Sequence, residues 1–450
     1  MNIAILGFDR QGRSAFDYWN KPENTITICD QNYVDDTPPG VPTRFGGDYL
    51  NDLYKFDLII RTPGLHEKEI VDNNTEDPNI LAKVTTVTNE FFKVCPTKRI
   101  IGVTGTKGKG TTSTLIAKFL EAAGYKVHLG GNIGIAPLEL LKNGIKPEDW
   151  VVMELANFQL IDLKYSPHIA VCLMIAPEHL DWHQDMYEYI EAKQQLFAHQ
   201  QLHDVAIFNA LDIYSQEIAD ASPAMQFGYE VPPEGQQPEN KTGAYVDGHH
   251  ICFQGEKICR ISEVVLPGRH NLENVCAAIT AVYPLIAQAQ KHPHNVIKGV
   301  LKTFVGLPHR IEIVGQARGV WFINDSYSTN PASAVAAIRA VDHPQIVVIG
   351  GYDRGLDLGE LIEEIKTNKL VKKVLVIGAS GQRVAQTLKG HNFTNYQLST
   401  ATTMPAIVGE ALALARKGDA VVFSPAFPSF DMFKDFEVRG NQFKAAVKAL

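Results

Sequence analysis

The stretch IGVTGTKGKGTTST, residues 101–114, decides the fold. An apolar, β-branched run passes through a glycine turn into a threonine-rich helix start. In that arrangement the turn amides and the helix dipole aim at one point, where an anion binds. Gly105 and Gly108 permit close backbone approach and positive φ, and Lys109 is placed to meet the outer phosphates of a nucleotide. The candidate cradle is therefore Gly105, Thr106, Lys107, Gly108, Lys109, Gly110, Thr111 and Thr112. The strict pattern G-x-x-x-x-G-K-[ST] is broken twice, by Val103 at its first glycine and by Gly110 at its hydroxyl. A metal normally held by that hydroxyl must then be held from elsewhere, by a shifted Thr111 or a water. The plain alternative is a turn without a ligand.

Outward from this loop, strands and helices alternate. NIAILGF, TITICD and FDLIIRTPGL precede it; WVVMEL, IAVCLMI and VAIFN follow, then GAYVDGHHICFQG reads as a hairpin. Further on, GVWFINDS, QIVVIGG, KKVLVIGA and DAVVFSP are each followed by a helical pattern. β-branched runs of this kind suit parallel sheets covered on both faces. The expected fold class is α/β in three domains: a Rossmann-like one over 1–95, a central P-loop-type ATPase with a parallel sheet over 96–298, and a second Rossmann-like one over 299–450. GFDRQGRSAFDYW, with Asp30 beyond it, mimics a dinucleotide fingerprint, but Asp9 replaces the middle glycine.

The 450 residues, 45% hydrophobic and 20% charged, exceed one ordinary core. A net charge of −8 argues against nucleic acid or an anionic membrane as a general partner. Six scattered cysteines without a C-x-x-C pair read as reduced, buried thiols. The first residues read as a strand, so the expected compartment is cytoplasmic, without membrane insertion.

Taken singly, several polar residues have ordinary explanations. Glu154 could cap a helix, His179 could pack in a loop, Lys193 could be a solvated helix charge, and Asn271 could cap the helix it opens. In order, however, GVTGTKGKGTT, ELANFQL, APEHLDWH, EAKQQLF, GRHNLENVCAA, LPHRIE, NDSYSTNP and SPAFPSFDMFKDFEVRG resemble the motifs of the Mur ligases, ATP-dependent amino-acid-adding enzymes of peptidoglycan synthesis. The resemblance spans the chain. It implies ATP and Mg²⁺ as cofactors, with Glu154, His179, Thr111 and a CO2-carbamylated Lys193 at the metal. Lys109, His179, Lys193 and Arg310 would be catalytic, and Asn271, Arg310 and Asp325 would contact ATP. UDP-N-acetylmuramoyl-L-alanine would meet Arg10, Gln11, Asp30, Gly64 and Asn132. Glutamate would meet Tyr327, Arg354, Ser429 and Phe436. Tyr327 and Arg354 both stand where related enzymes commonly carry lysine, which leaves D- and L-glutamate open. The implied reaction is addition of glutamate, D-glutamate favoured, through an acyl phosphate, by a monomer serving cell-wall biogenesis, cell shape and division. A folylpolyglutamate-synthase-like ligase and an NAD-dependent oxidoreductase are the alternatives.

Overall fold

The computed structural model describes residues 1–132, 134–266 and 268–450. The chain forms two compact units, Met1–Phe304 and Val305–Leu450. Both are mixed α/β with parallel sheets, as the β-branched runs predict.

The first unit opens with a five-stranded parallel sheet. Its strands are β1 (Asn2–Leu6), β2 (Thr25–Asp30), β3 (Thr43–Phe45), β4 (Leu58–Arg61) and β5 (Val84–Thr85), in the order β3-β2-β1-β4-β5. A six-stranded parallel sheet follows. It comprises β6 (Ile100–Thr104), β7 (Val127–Gly131), β8 (Trp150–Glu154), β9 (Ile169–Cys172), β10 (Val205–Asn209) and β11 (Met225–Tyr229), ordered β11-β10-β9-β6-β8-β7. The glycine loop therefore leaves an interior strand, flanked by β9 and β8. The expected hairpin is present as β12 (Ala244–Asp247) and β13 (His250–Phe253), and a third antiparallel strand, β14 (Glu256–Arg260), extends it.

Among the described residues one helix, His270–Ala289, is long and apolar enough to cross a membrane. Here it is a core helix: Val275, Cys276, Ala278 and Ile279 pack with Leu115, Ile116 and Phe119 of the helix Lys109–Ala122.

The two sheets of the first unit share a core. Ile3, Ile5, Phe16 and Trp19 of the first lie in one cluster with Val151, Met153, Leu196 and Phe197 of the second. A buried ion pair reinforces the junction. The Arg61 guanidinium, wholly buried at the end of β4, donates to both carboxylate oxygens of Asp162 at 2.9 and 2.8 Å and to the carbonyls of Leu65 and Phe158. Those acceptors satisfy a charge that would otherwise be prohibitively costly to desolvate.

The second unit carries one six-stranded sheet: β15 (Glu312–Ala317), β16 (Val320–Asn324), β17 (Gln345–Gly350), β18 (Val371–Ile377), β19 (Tyr396–Leu398) and β20 (Ala420–Phe423), in the order β15-β16-β20-β17-β18-β19. All neighbours are parallel except β15, which runs antiparallel to β16 along the edge.

Removing one partner of a buried ion pair leaves the other charge uncompensated, which costs about 3–5 kcal/mol. Asp162→Ala is thus expected to lower the urea midpoint of the first unit's transition sharply, followed by far-UV circular dichroism. An unchanged midpoint would refute the role given to Arg61.

Candidate functional site

The helix Lys109–Ala122 starts directly at the loop, with Gly108 at its cap in a left-handed conformation, φ +86°. A Cβ on Gly108 would lie 2.1 Å from Asn274 Oδ1, so only glycine fits. That same oxygen accepts from Thr112 Oγ1 at 3.2 Å, and Asn274 Nδ2 donates to Asn271 Oδ1 at 2.9 Å. The start of His270–Ala289 is thereby fastened to the cradle, which brings Asn271 to it. Thr106 is fixed from the other side: its hydroxyl accepts from the Ala176 amide and bonds the Tyr189 hydroxyl, both at 2.9 Å. Lys107 points outward and pairs with Glu178 at 2.5 Å.

Two amines meet inside the loop. Lys109 Nζ donates to the Gly105 and Thr106 carbonyls at 3.0 and 2.9 Å. Lys193 Nζ donates to the same Gly105 carbonyl at 3.3 Å, across the face of Tyr189 at 4.4 Å from the ring centre. Lys193 is 0% exposed, in the middle of the helix Met186–Ala198. Burial first, and the Lys109 charge second, push its pKa down to about 7. Much of this lysine is therefore an unprotonated, nucleophilic amine at neutral pH.

Glu154 ends β8 and is 4% exposed. Asn132 wraps it: its side-chain amide donates to Glu154 Oε1 at 2.9 Å and its backbone amide to Glu154 O at 2.8 Å. His179 adopts positive φ, +60°, uncommon outside glycine and frequent at functional sites. Its ring lies 4.7 Å from that of Phe158 and 3.8 Å from a Glu178 oxygen. Burial lowers the pKa of the imidazole against the pull of Glu178, which favours the neutral, lone-pair form. Among the described residues no three His, Cys, Asp or Glu side chains converge as a ready metal cage. A hard cation here would need oxygens beyond the Glu154 carboxylate, and a protonated Lys193 would repel it. The donor set fits Mg²⁺ once the Lys193 amine, nucleophilic and buried, carries a carboxylate. Thr111, 8% exposed in the first helical turn, is an additional oxygen in that segment.

In the first sheet, Asp9 caps the helix Arg10–Trp19 by accepting from the Gln11 and Gly12 amides. Gly12 must lack a Cβ, which would sit 2.0 Å from Gly7 O. The Arg10 side chain is exposed, while Gln11 Oε1 is buried without a hydrogen-bond donor. Asp30 does not hang free at its strand end: it accepts from the Phe8 amide at 2.8 Å and the Asn32 amide at 2.9 Å. The Gly64 carbonyl accepts from Trp182 Nε1 at 3.2 Å, drawing this loop onto the His179 segment.

In the second unit, Arg310 lies over the Tyr327 ring at 4.7 Å, and Tyr327 meets Phe436 edge-on at 5.1 Å. Asp325 is buried beside them, accepting from Ser328, Ser424 and the Ile311 amide; burial pushes its pKa up to about 6. Arg439, also buried, braces the Ser326 hydroxyl and carbonyl and the Phe427 carbonyl. Ser429 is buried and its carbonyl accepts from the Met432 and Phe433 amides. Arg354 lies 5.9 Å from the centre of the Phe430 ring.

The Mur ligase middle-domain model matches residues 103–282 and the Mur ligase glutamate ligase domain matches 309–427. A UDP-N-acetylmuramoylalanine–D-glutamate ligase of Clostridium kluyveri is 36% identical, over 99% of this chain and 96% of its own. The chain belongs to the Mur ligase family. A ligase of the same name from Acetivibrio thermocellus is 36% identical over 90% of this chain and 85% of its own. Among solved structures, the UDP-N-acetylmuramate-alanine ligase MurC of Thermotoga maritima aligns with a TM-score of 0.58 at 16% identity, covering 100% and 99% of the two chains. Escherichia coli FolC, solved with ADP, aligns at 0.55 and 18% identity over 81% and 92%. These two likenesses carry the fold alone.

Tyr189, Phe158 and Glu178 at this candidate site escaped the sequence reading. Tyr189 precedes Lys193 by four residues, one helical turn, so the pair shares a face. That spacing was the available signal.

Lys193 makes stability depend on pH. Its folded pKa of about 7 lies below the 10.5 of an unfolded lysine, so the folded state resists protonation. The penalty is absent above pH 10.5, grows as pH falls towards 7, and is then constant. In CO2-depleted buffer, Lys193→Met is expected to be more stable than the parent, with the gap widening by about 1 kcal/mol per unit between pH 9 and pH 7. Thermal unfolding at three pH values checks this; a gap independent of pH would contradict the burial argument.

Proposed function

We propose that this chain joins D-glutamate to UDP-N-acetylmuramoyl-L-alanine at the expense of ATP, as a cytoplasmic, monomeric enzyme of peptidoglycan precursor synthesis. The observation that carries the proposal is the pair of lysines on the Gly105 carbonyl, one beside a phosphate cradle and one buried and nucleophilic. The Clostridium kluyveri relative matches 99% of the chain and the Acetivibrio thermocellus relative 90%. The reading keeps three functional segments: a UDP-sugar-binding Rossmann-like 1–95, a P-loop ATPase 96–298 and a glutamate-binding Rossmann-like 299–450.

The uridine-linked carboxylate attacks the γ-phosphorus of ATP, the bond to ADP breaks, and an acyl phosphate forms. The glutamate amine then attacks the acyl carbon, phosphate departs, and the amine proton passes to solvent. Lys109 and the loop amides neutralise charge on the transferring group. His179, held neutral, orients the substrate carboxylate, and resemblance assigns Arg310, Asn271 and Asp325 to ATP. Unprotonated Lys193 would add to CO2, releasing one proton and becoming a carbamate, and Glu154, His179, Thr111 and residue 193 would then hold Mg²⁺. When bound, that ion supplies positive charge against the triphosphate oxygens. Glutamate would be read by Tyr327, Arg354, Ser429 and Phe436, and the nucleotide sugar by Arg10, Gln11, Asp30, Gly64 and Asn132.

Phosphate release with ATP, Mg²⁺ and UDP-N-acetylmuramoyl-L-alanine should require an added amino acid and favour D-glutamate over L-glutamate and lysine. Turnover with L-glutamate alone would reverse the stereochemical assignment, and no release with any of the three would remove the ligase reading. Lys193→Ala should lose at least about 100-fold in kcat, partly restored by added acetate. Full activity without a carboxylate would sink the carbamate.

A further inference from the structure

A second cleft, of about 600 Å³, opens beside Leu58 and Val84, where β4 and β5 begin. Parallel strands put that edge opposite the one carrying the Gly7–Gly12 turn, Asp30 and Gly64. The cleft is therefore separate from the site described above.

Its charge runs against that of the chain. Four lysines line it, Lys21, Lys83, Lys93 and Lys164, against two acids, Glu23 and Glu90. The chain as a whole carries −8. Neither acid neutralises the group fully. Glu90 accepts from the Tyr18 hydroxyl at 3.1 Å and pairs with the exposed Lys93 at 3.4 Å, a surface contact worth little. Lys83 is held by Asp77 and by the Tyr54 carbonyl. Lys21 stands over the Tyr18 ring, and Lys164 has no ion-pair partner among the described residues.

The walls are aromatic. Tyr18, Trp19 and Tyr165 contribute to the lining; Tyr18 meets Trp19 edge-on at 4.8 Å, and Tyr165 stacks on Phe92. Beyond Tyr165 a smaller cavity of about 210 Å³ continues the groove and adds Lys98, His168 and His199. The floor is rigid: Asn89 accepts from the Lys164 amide at 2.8 Å and donates to the Asp162 carbonyl at 2.9 Å.

We infer that this cleft binds a small molecule bearing adjacent phosphates, with lysine ammonium groups on the phosphate oxygens. Lysine, a compact, strongly hydrated point charge, suits a multiply charged oxyanion, and an excess of lysines in the lining of one concave cleft raises the local anion concentration. The aromatic sides leave room for a flat ring attached to the phosphates. The inference does not depend on the ligase reading.

The test uses the full-length chain carrying Lys109→Ala, which weakens the first phosphate site. Tripolyphosphate and ADP are titrated separately by calorimetry, at low and at 0.5 M salt, into this protein and into the same protein with Lys93→Glu and Lys164→Glu added. Both added changes are at exposed positions, and circular dichroism verifies the fold. The expected result is saturable tripolyphosphate binding, weakened at least tenfold by the two charge reversals and by salt. Tighter binding of ADP that is lost in the same variant would identify a nucleotide as the occupant; equal or weaker binding would identify the phosphate chain. No binding of either probe at 5 mM, or binding indifferent to the charge reversals, overturns the inference.

Discussion

One carbonyl oxygen organises this protein. The Gly105 carbonyl accepts from both Lys109 and Lys193, groups that arrive from the start of one helix and the middle of another. Two protonated amines so placed repel each other, and burial leaves no water to screen them. Burial first and this repulsion second push the Lys193 pKa down to about 7, while Lys109 remains within the cradle. The surrounding structure serves this contact. Gly108 lets the loop turn, Asn274 clamps it, and Tyr189 covers both the Thr106 hydroxyl and the Lys193 stem.

The glycine pattern and the β-branched runs were enough to place most strands of the parallel sheets and the residues of the cradle. Local sequence carries such features because strand, turn and helix cap are each chosen within a few residues. β7 was not legible, for its five residues VHLGG include two glycines and little β propensity. β15 escaped for a similar reason: EIVGQA is half-exposed, bulged and interrupted at Gly315. The third strand of the small antiparallel sheet, EKICR, lacks a continuous apolar run and is recognisable only from its pairing.

The candidate site shows the same division. Lys109, Glu154 and His179 stand next to strands that mark them, whereas the meeting of Lys193 with Gly105 joins residues 88 positions apart. Nor did Asp30 and Asp325 reveal that each is already engaged by backbone amides. Arg61 gave no sign of being buried. In RTPGL it reads as an ordinary strand-end cation, and only the fold supplies its five acceptors.

The core shared by the two sheets of the first unit bears on how such a chain can be rebuilt. The front sheet is not a cartridge that slides out at residue 95. Any replacement would have to bring its own apolar face for Val151 and Phe197 and its own cation for Asp162. The first sheet is thus welded to the integrity of the second, and an evolving sequence can exchange one only while mending the other.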